Sequence, residues 1–177
     1  MELSTPDLVR HGVDRFKQER LGWPIWKRIY RSLWGDGITI LRELPIYMDR
    51  DLSIDVMISN PFAPPLHIQE KTLGYVHGKR FDTLTVEYMQ NPEDGLVGDW
   101  SKIATQLYAC AYLTEKERGF THGVIVNWSS LVMATIQGSI PWRSNQNNDG
   151  RARASFKYVN ISDIPDDIIV WRKIRVP

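Results

Sequence analysis

The chain begins with two stretches in which apolar residues recur at helical spacing. Residues three or four positions apart define the two helix faces: Leu8, Val9, Val13 and Phe16 on the first, and Trp26, Ile29, Tyr30 and Leu33 on the second. The pattern predicts helices over residues 6–20 and 25–33. The Gly22-Trp23-Pro24 sequence between them predicts a break, because proline lacks the N–H that a helix interior needs.

The next part of the chain is rich in β-branched residues with a two-residue alternation, which predicts strands. The expected strands are residues 38–47, 52–59, 66–73 and 81–89. Residues 48–51 are expected to form a turn between the first two. The proline-rich segment 60–65 predicts a loop, because proline cannot donate to a strand ladder.

The second half of the chain alternates between the same two kinds of pattern. A helix is predicted from Asp99 to about Gly119, strands at 124–128 and 131–137 joined as a hairpin, a mobile polar loop at 143–154, and late strands at 156–159 and 168–174. The whole pattern predicts the α/β class, with a mixed central β-sheet flanked by helices. The length of 177 residues fits a single domain over 1–177.

Polar side chains stand out on three of the predicted strands, which we expect to be neighbours in one sheet. Side-chain alternation places Gln69 and Lys71 on one face of their strand and Glu70 on the other. Asp55 lies on the polar side of the preceding predicted strand, and Glu87 on the following one. We expect the polar side that carries Asp55 to meet the side that carries Gln69 and Lys71.

These residue types suit phosphodiester hydrolysis, which needs a divalent cation, a positioned water molecule and a cationic neighbour. Magnesium takes oxygen ligands and usually keeps several waters. We therefore predict that the Asp55 carboxylate, the Gln69 carboxamide oxygen and the Glu70 backbone carbonyl bind Mg²⁺ or Mn²⁺. Lys71 would orient the attacking water or stabilise the transition state, and Glu87 would support the water or a second ion.

The order of these parts resembles the PD-(D/E)XK nuclease superfamily. In that superfamily an early helix precedes a strand, a second strand bears an acid, a third bears a (D/E/Q)-x-K element, and a helix then packs on the sheet. The match runs over about residues 8–112 and is closest to phage and plasmid-type members. The resemblance implies a restriction-endonuclease-like core, a Mg²⁺-dependent DNA endonuclease, and a homodimer.

The resemblance also implies further site residues. Glu87 and Gln106, the latter on the predicted helix, would line the site. The family often draws a glutamate from its first helix, for which Glu19 is the helical candidate and Glu43, on the following predicted strand, the other. A phage, plasmid or other mobile-element origin is implied in the same way.

Two departures from the family pattern leave an alternative open. The tripeptide is Gln69-Glu70-Lys71, where the commoner form begins with an acid, and no proline precedes Asp55. The alternative is a catalytically silent member of the same fold that binds nucleic acid. A second alternative is an interaction or assembly protein without a nucleic-acid role, which the net charge of +1 and the seven tryptophans favour.

The net charge conceals two basic clusters. The first helical region carries Arg15, Lys17, Arg20, Lys27, Arg28 and Arg31, and a late segment carries Arg143, Arg151, Arg153 and Lys157. Each is either a solvated face or a surface that grips phosphates without reading sequence. We predict that the late cluster is the DNA-binding surface and that the basic first helix also grips phosphates.

The remaining composition narrows the classes of protein. Cys110 is the single cysteine, which excludes an internal disulfide and a cysteine-rich zinc site and fits a reducing cytoplasm, that of the host if the chain is phage-encoded. The four histidines lack metal-ligand spacing, and no P-loop sequence is present. The longest apolar runs are shorter than the roughly 20 residues that span a bilayer, so no membrane partner is expected.

Overall fold

The computed structural model describes residues 5–91, 95–146 and 155–175, without the side chains of 5–16, 90, 91, 96, 97 and 146. The helices are α1 (Thr5–Trp34), α2 (Ile46–Leu52), α3 (Tyr75–Arg80) and α4 (Trp128–Ile136). The strands are β1 (Thr39–Leu41), β2 (Val56–Asn60), β3 (Ala63–Leu73), β4 (Thr83–Asn91), β5 (Leu96–Val97), β6 (Leu107–Leu113), β7 (Phe120–Asn127), β8 (Arg143–Gln146), β9 (Ser155–Asn160) and β10 (Ile169–Lys173). Short 3-10 turns occupy Asp99–Ser101, Ile161–Asp163 and Asp166–Ile168. Among the described helices, none has the length and apolar character to cross a membrane.

Six strands form a mixed central sheet in the order β1-β2-β3-β6-β7-β10. The pair β3 and β6 is parallel, and the other neighbouring pairs are antiparallel. A parallel pair needs a long crossover, and here the crossover between β3 and β6 contains α3, β4 and β5. The α/β class with a mixed central sheet is therefore confirmed.

Four strands form a second, antiparallel sheet in the order β5-β4-β9-β8. The segment predicted at 81–89 is thus a strand, but the expectation that it adjoins the Lys71 strand in one sheet is wrong. Two tyrosine hydroxyls on β6 hold β4 against the central sheet: Tyr108 donates to the Thr85 carbonyl at 2.9 Å and Tyr112 to the Thr83 carbonyl at 2.8 Å. These bonds satisfy backbone acceptors on an edge of β4.

The two faces of the central sheet carry separate apolar clusters. On one face, Trp26 and Tyr30 of α1 pack with Ile68 of β3 and are fully buried. On the other face, Leu84 of β4 and Leu131 of α4 pack against the tyrosines of β6. The central sheet therefore lies between a layer formed by α1 and a layer formed by α4 and the second sheet.

The predicted break near residues 22–24 is wrong, because α1 continues through Pro24 as one helix of 30 residues. Proline removes one intrahelical hydrogen bond. The burial of Trp26 and Tyr30 against β3 immediately after Pro24 stabilises the helical path, and an indole bond from Trp26 to Thr72 at 3.0 Å fixes it there. Tertiary packing therefore overrides the local signal.

The segment 38–65 differs from the prediction at three places. The expected strand 38–47 is reduced to β1, the expected turn 48–51 lies inside α2, and β3 begins at Ala63 rather than after Pro65. Pro45 stands at the N-cap of α2, and Ser53 ends the helix in a left-handed conformation at φ 48°. The prolines of β3 are exposed beside a register shift between Ile58 and Asn60, where the missing N–H is tolerated.

The helix predicted over 99–119 is also wrong, since this segment contains a 3-10 turn and then β6. Every residue of β6 is buried, because β6 is a central strand covered on both faces. Such a strand has no polar alternation, and its apolar residues happen to match helical spacing. Cys110 is buried there without a disulfide, as the sequence indicated.

The strand predicted at 131–137 is instead helix α4. Asn127 caps it, since its side chain accepts from Ser130 N at 3.0 Å, and Trp128, Leu131 and Ala134 are buried at helical spacing. Residues 143–146 of the predicted loop 143–154 form β8. The rest of that predicted loop, residues 147–154, lies outside the described ranges. The strands predicted at 124–128, 156–159 and 168–174 correspond to β7, β9 and β10.

Candidate active site

The candidate site lies where β3 runs past the end of β2. The two strands pair from Asn60 opposite Ala63 to Val56 opposite Ile68, and β3 then continues to Leu73 paired with β6. Asp55 directly precedes β2, and its backbone N–H donates to the Ile68 carbonyl at 3.0 Å. The edge of β3 beyond this point is therefore left open by β2.

The Asp55 carboxylate lies on this open edge. Its Oδ2 accepts a hydrogen bond from the Glu70 backbone N–H at 2.8 Å. The N–H and C=O of one strand residue point to the same side of the strand, so the Glu70 carbonyl also faces this edge. The structure thus brings Asp55 and the Glu70 backbone together, as the sequence predicted.

Alternation along β3 separates two sets of side chains. Glu70 and Thr72 face α1, where the Tyr30 hydroxyl donates to Glu70 Oε2 at 2.9 Å and Trp26 bonds Thr72. Gln69 and Lys71 project to the opposite side, beside Tyr108 and Cys110 of β6. The expected parity of Gln69 with Lys71 is confirmed.

A cleft of about 290 Å³ runs across this open edge, and we refer to it as the edge cleft. Its walls come from β3 and from five other parts of the chain. The lining residues are Gln18 and Glu19 of α1, residues 69–73 of β3, His77 of α3, Glu87 of β4, Asp99 of the first 3-10 turn and Tyr108 of β6. The edge cleft therefore combines the first helix, the central sheet and the second sheet. Asp55, the first of the predicted metal ligands, is not part of the lining.

Two buried residues of this lining each have a side-chain oxygen without a hydrogen-bond partner among the described residues. One is Glu70 Oε1, which faces the Arg42 guanidinium at 3.7 Å, and the other is Gln69 Oε1, in a residue that is only 6 % exposed. A buried acceptor that lacks a donor destabilises a fold by about 1–3 kcal/mol. A buried oxygen without a hydrogen bond, beside a cleft, is suited to bind a cation or a hydrogen-bond donor of a ligand.

Lys71 is a cationic residue of the edge cleft, and it lies near the second sheet. Its ammonium is 5.3 Å from the centroid of the Phe156 ring of β9. Phe156 is the cross-strand partner of Glu87, so the register brings Lys71, Phe156 and Glu87 to one place. The surrounding carboxylates of Glu19, Glu87 and Asp99 make the lining predominantly acidic.

Glu70 is a buried acid directly under the site. Burial raises its pKa to about 8, the Arg42 guanidinium and the Tyr30 hydroxyl oppose that rise, and the charges of Asp55 and Glu19 add to it. Arg42 Nη2 is 3.7 Å from Glu70 Oε1. Because Asp55 and Glu19 both perturb this pKa, the acids of α1, β3 and the start of β2 share one local field.

The residues present fit a hard divalent cation. No group of three histidine, cysteine, aspartate or glutamate side chains in the described ranges is arranged to hold a metal. The oxygens at the open edge are of mixed type instead: a carboxylate from Asp55, the unpartnered carboxamide oxygen of Gln69 and the backbone carbonyl of Glu70. Magnesium accepts such a partial oxygen set and completes it with water.

Of the three supporting residues predicted from the sequence, the structure places one in the cleft lining and two outside it. Glu19 lines the edge cleft, whereas Glu43 is exposed after β1, outside the strand expected for it, and is not part of the lining. Gln106 lies before β6 rather than on a helix, and its Oε1 accepts from His67 N at 2.7 Å. The helical location expected for Gln106 is wrong, and it is not part of the lining.

Asp99 and Tyr108 line the cleft but were not among the predicted site residues. Asp99 Oδ1 lies 3.5 Å from the Ser53 hydroxyl, two residues before Asp55. Asp99 follows Gly98 and is an acid at a turn, but the sequence pattern there predicts the start of a helix rather than a site residue. Tyr108 gave no local signal, because its role depends on the packing of β4 on β6.

The predicted phosphate-binding cluster is only partly described. Arg143 is exposed on β8, and Lys157 of β9 lies 4.6 Å from the Tyr88 ring and 4.7 Å from the Trp100 ring. Arg151 and Arg153 lie outside the described residues, as does the side chain of Arg15. On α1, exposed residues include Lys17, Arg20, Arg28 and Arg31.

Comparisons with protein-family models, with curated proteins and with solved structures find no match to the chain. The resemblance to PD-(D/E)XK nucleases therefore rests on the residues and their arrangement alone.

Proposed function

We propose that the protein is a metal-dependent DNA endonuclease with a restriction-endonuclease-like core. The observation that carries this proposal is the buried, unpartnered Oε1 of Gln69, which shares a strand face with Lys71. Both lie next to the open edge where Asp55 meets the Glu70 backbone. Gln69, Glu70 and Lys71 line one cleft, and the Asp55 carboxylate, which is not part of the lining, bonds the backbone of Glu70. Together they offer a carboxylate, an amide oxygen, a backbone carbonyl and an ammonium, a donor set that suits a phosphodiester and a hard cation.

Each residue has a role in this proposal. Asp55, Gln69 and the Glu70 carbonyl would hold Mg²⁺ or Mn²⁺, which supplies Lewis-acid stabilisation of a phosphoryl oxygen and a more acidic water. Lys71 positions the attacking water and stabilises negative charge on the phosphate. Glu87, across the cleft, accepts a hydrogen bond from that water, which orients it for attack.

The surroundings of the edge cleft support a polyanionic substrate gripped through phosphates. Arg143 is exposed on β8, Lys157 of β9 lies on the other face of the second sheet beside Tyr88 and Trp100, and exposed basic residues lie along α1. Arg151 and Arg153 belong to the same proposed DNA-binding cluster by sequence. We further propose a homodimer, which would allow both strands of a duplex to be cut, and action in the cytoplasm, that of the host if the chain is phage-encoded.

The proposal is tested by nicking of supercoiled plasmid with Mg²⁺ and with Mn²⁺. Wild type should nick, and Lys71→Ala should lose activity by about a hundredfold or more, because a positioned cationic or proton-transferring group contributes this much. Lys116→Ala is the matched control, since Lys116 is exposed in the turn between β6 and β7. This control should nick like wild type.

One alternative has an observation in its favour: Gln69 stands where an acid would complete a stronger metal site. If wild type and Lys71→Ala are equally inert with both metals, yet both bind DNA with an affinity that falls with salt, the silent DNA-binding member is correct. If neither is retained on DNA at low salt, an interaction or assembly protein is correct. Manganese anomalous scattering beside Asp55 in a soaked crystal would support the catalytic proposal directly.

A further inference from the structure

One face of the second sheet begins at the edge cleft. The cross-strand registers place Glu87 opposite Phe156 and Phe156 opposite Asn145, and they place Thr85 opposite Tyr158 and Tyr158 opposite Arg143. Directly opposed residues of antiparallel strands project to the same face. These six side chains therefore form two parallel rows across β4, β9 and β8, which we call the outer face.

The opposite face of the same strands is occupied by the core. Leu84, Val86 and Val159 are buried there with the tyrosines of β6. On the outer face, by contrast, Arg143 and Asn145 are exposed and Phe156 and Tyr158 are half-buried. The outer face thus presents two aromatic rings, with the Glu87 carboxylate at the end next to the cleft and the Arg143 guanidinium at the far end.

The outer face is continuous with the proposed catalytic residues. The Lys71 ammonium lies 5.3 Å from the Phe156 ring, and Glu87 both heads the first row and lines the edge cleft. A polynucleotide strand with a phosphate in the cleft would leave it along these rows. The part of the strand that lies on the outer face must therefore offer groups that bind to half-buried aromatic rings, and an anionic group that binds to Arg143.

Unpaired bases have that chemistry. They stack on aromatic side chains, and basic residues grip the adjoining phosphates, whereas paired bases keep their faces inside the duplex. On the basis of the proposed function, we propose that the outer face binds a single-stranded polynucleotide segment, with bases on Phe156 and Tyr158 and a phosphate on Arg143. The substrate class is then a nucleic acid with unpaired nucleotides next to the bond that is cut.

Binding without catalysis tests this proposal separately. Fluorescence anisotropy in EDTA would compare a single-stranded oligothymidine and an oligouridine of about 16 nucleotides, a length suited to such surfaces, with a duplex of equal length. Phe156→Leu and Tyr158→Leu should each weaken single-strand binding by about tenfold and duplex binding by less than about twofold. Phe156→Tyr should bind like wild type, because it keeps the ring.

Phe62→Leu is the matched control, since Phe62 is 94 % exposed in the turn between β2 and β3, away from the outer face. It should leave both affinities unchanged. A 5-iodouracil placed in the single strand should photo-crosslink to the β9 peptide. Stronger binding of thymidine than uridine strands, or the reverse, tells whether DNA or RNA supplies the unpaired bases.

Three results would overturn the proposal: wild type that does not bind either single strand at low salt, both leucine variants binding as tightly as wild type, or equal weakening for single strand and duplex. These outcomes are independent of cutting. If single strands bind as expected but no metal supports nicking, the endonuclease proposal fails and the binding face stands. If nicking occurs and the leucine variants bind normally, the endonuclease proposal stands and the proposed binding face fails.

Discussion

The two faces of β3 treat polar side chains in opposite ways. On the α1 face, Thr72 accepts from the indole of Trp26, and Glu70 accepts from the hydroxyl of Tyr30 through Oε2. Glu70 Oε1 has no hydrogen bond among the described residues but faces the Arg42 guanidinium at 3.7 Å. On the other face, Gln69 is equally buried, and its Oε1 has no hydrogen-bond partner within the described part of the chain. Adjacent residues of one strand therefore carry a buried acid held by a hydroxyl and a guanidinium, and a buried amide oxygen without a hydrogen bond.

This difference indicates what each face is for. Polar groups inside proteins are nearly always hydrogen-bonded, so the α1 face has the features of a structural contact. An unpartnered oxygen that lines a cleft has the features of a binding position, where stability is given up locally. Substitutions on the two faces should therefore separate stability from activity.

The largest effect is expected for Gln69→Met on the cleft face. The substitution removes the unpartnered oxygen and keeps a flexible apolar side chain, so metal-dependent nicking should fall by about a hundredfold. The free energy of unfolding should stay equal or rise by about 1 kcal/mol, because no buried acceptor is left unsatisfied. Plasmid nicking and urea unfolding measure the two quantities.

Gln69→Glu is the companion variant, because it adds the carboxylate that is commoner at this position. It should retain metal-dependent nicking and lose stability in the absence of metal. Loss of stability in Gln69→Met with unchanged nicking would show that Gln69 is structural and that the comparison of the two faces is mistaken.

On the α1 face the expected effect is on stability. A Cβ added at Gly22 would lie 2.5 Å from Oγ1 and 2.7 Å from Cγ2 of Thr72, and Thr72 is fixed by its bond to Trp26. Helix propensity alone favours alanine by about 1 kcal/mol. We expect the clash to dominate, so that Gly22→Ala lowers the free energy of unfolding by about 1–3 kcal/mol.

Gly37→Ala is the control for this variant, since a Cβ there has open space. It should be neutral or slightly stabilising in the same urea experiment. Nicking per folded molecule should be unchanged in both variants. A stabilised Gly22→Ala protein would mean that α1 does not pack on Thr72 as described.

A smaller effect concerns the pH dependence of stability through Glu70. Its pKa rises on folding from the ordinary 4.5 to about 8, chiefly because of burial. Between these values the folded protein binds a proton that the unfolded chain releases, so this group makes the free energy of unfolding fall as pH rises toward 8. Its favourable contribution is complete below about pH 4.5 and lost above about pH 8.

Glu70→Gln removes this titration and keeps an acceptor for Tyr30. Its stability should depend less on pH and should exceed that of wild type by at least about 1 kcal/mol near pH 9, measured by urea unfolding. Glu117→Gln is the control, because Glu117 forms an exposed pair with Lys17 at 3.5 Å. Parallel pH profiles for wild type and Glu70→Gln would show that folding does not raise the pKa of Glu70.

The sequence predicted those features that depend on local periodicity. The alternation in β3 was sufficient to place Gln69 with Lys71, and the order of strands was sufficient to bring Asp55 to the same edge. The pattern in β6 predicts a helix instead of a strand, because a strand buried on both faces has no alternation of apolar and polar residues. The pattern at Pro24 predicts a break, because the packing of Trp26 on a distant strand, which stabilises the helix there, leaves no local signal.

The cleft itself was less predictable than its central residues. Glu87 reaches it from a second sheet, and nothing local in the sequence indicates that β4 leaves the central sheet. Asp99 and Tyr108 join the lining only because β4 packs on β6 and the 3-10 turn packs on β4. Contacts between sheets depend on side chains far apart in sequence, which a periodicity argument does not address.

The smallest effect is expected from the tyrosines that hold the second sheet near the cleft. Tyr108→Phe and Tyr112→Phe each remove one hydroxyl bond to a carbonyl of β4, so each should lower the free energy of unfolding by about 1 kcal/mol. Tyr108 lines the cleft and bonds Thr85, two residues from Glu87, so Tyr108→Phe alone should also slow nicking, by about threefold. Tyr112→Phe serves as the control for the same chemical change further from Glu87, although the Tyr112 hydroxyl also lies 3.2 Å from Thr83 Oγ1. Equal nicking rates in the two variants would show that the position of β4 does not set the geometry of the site, and that the Gln69 face of β3 acts without the second sheet.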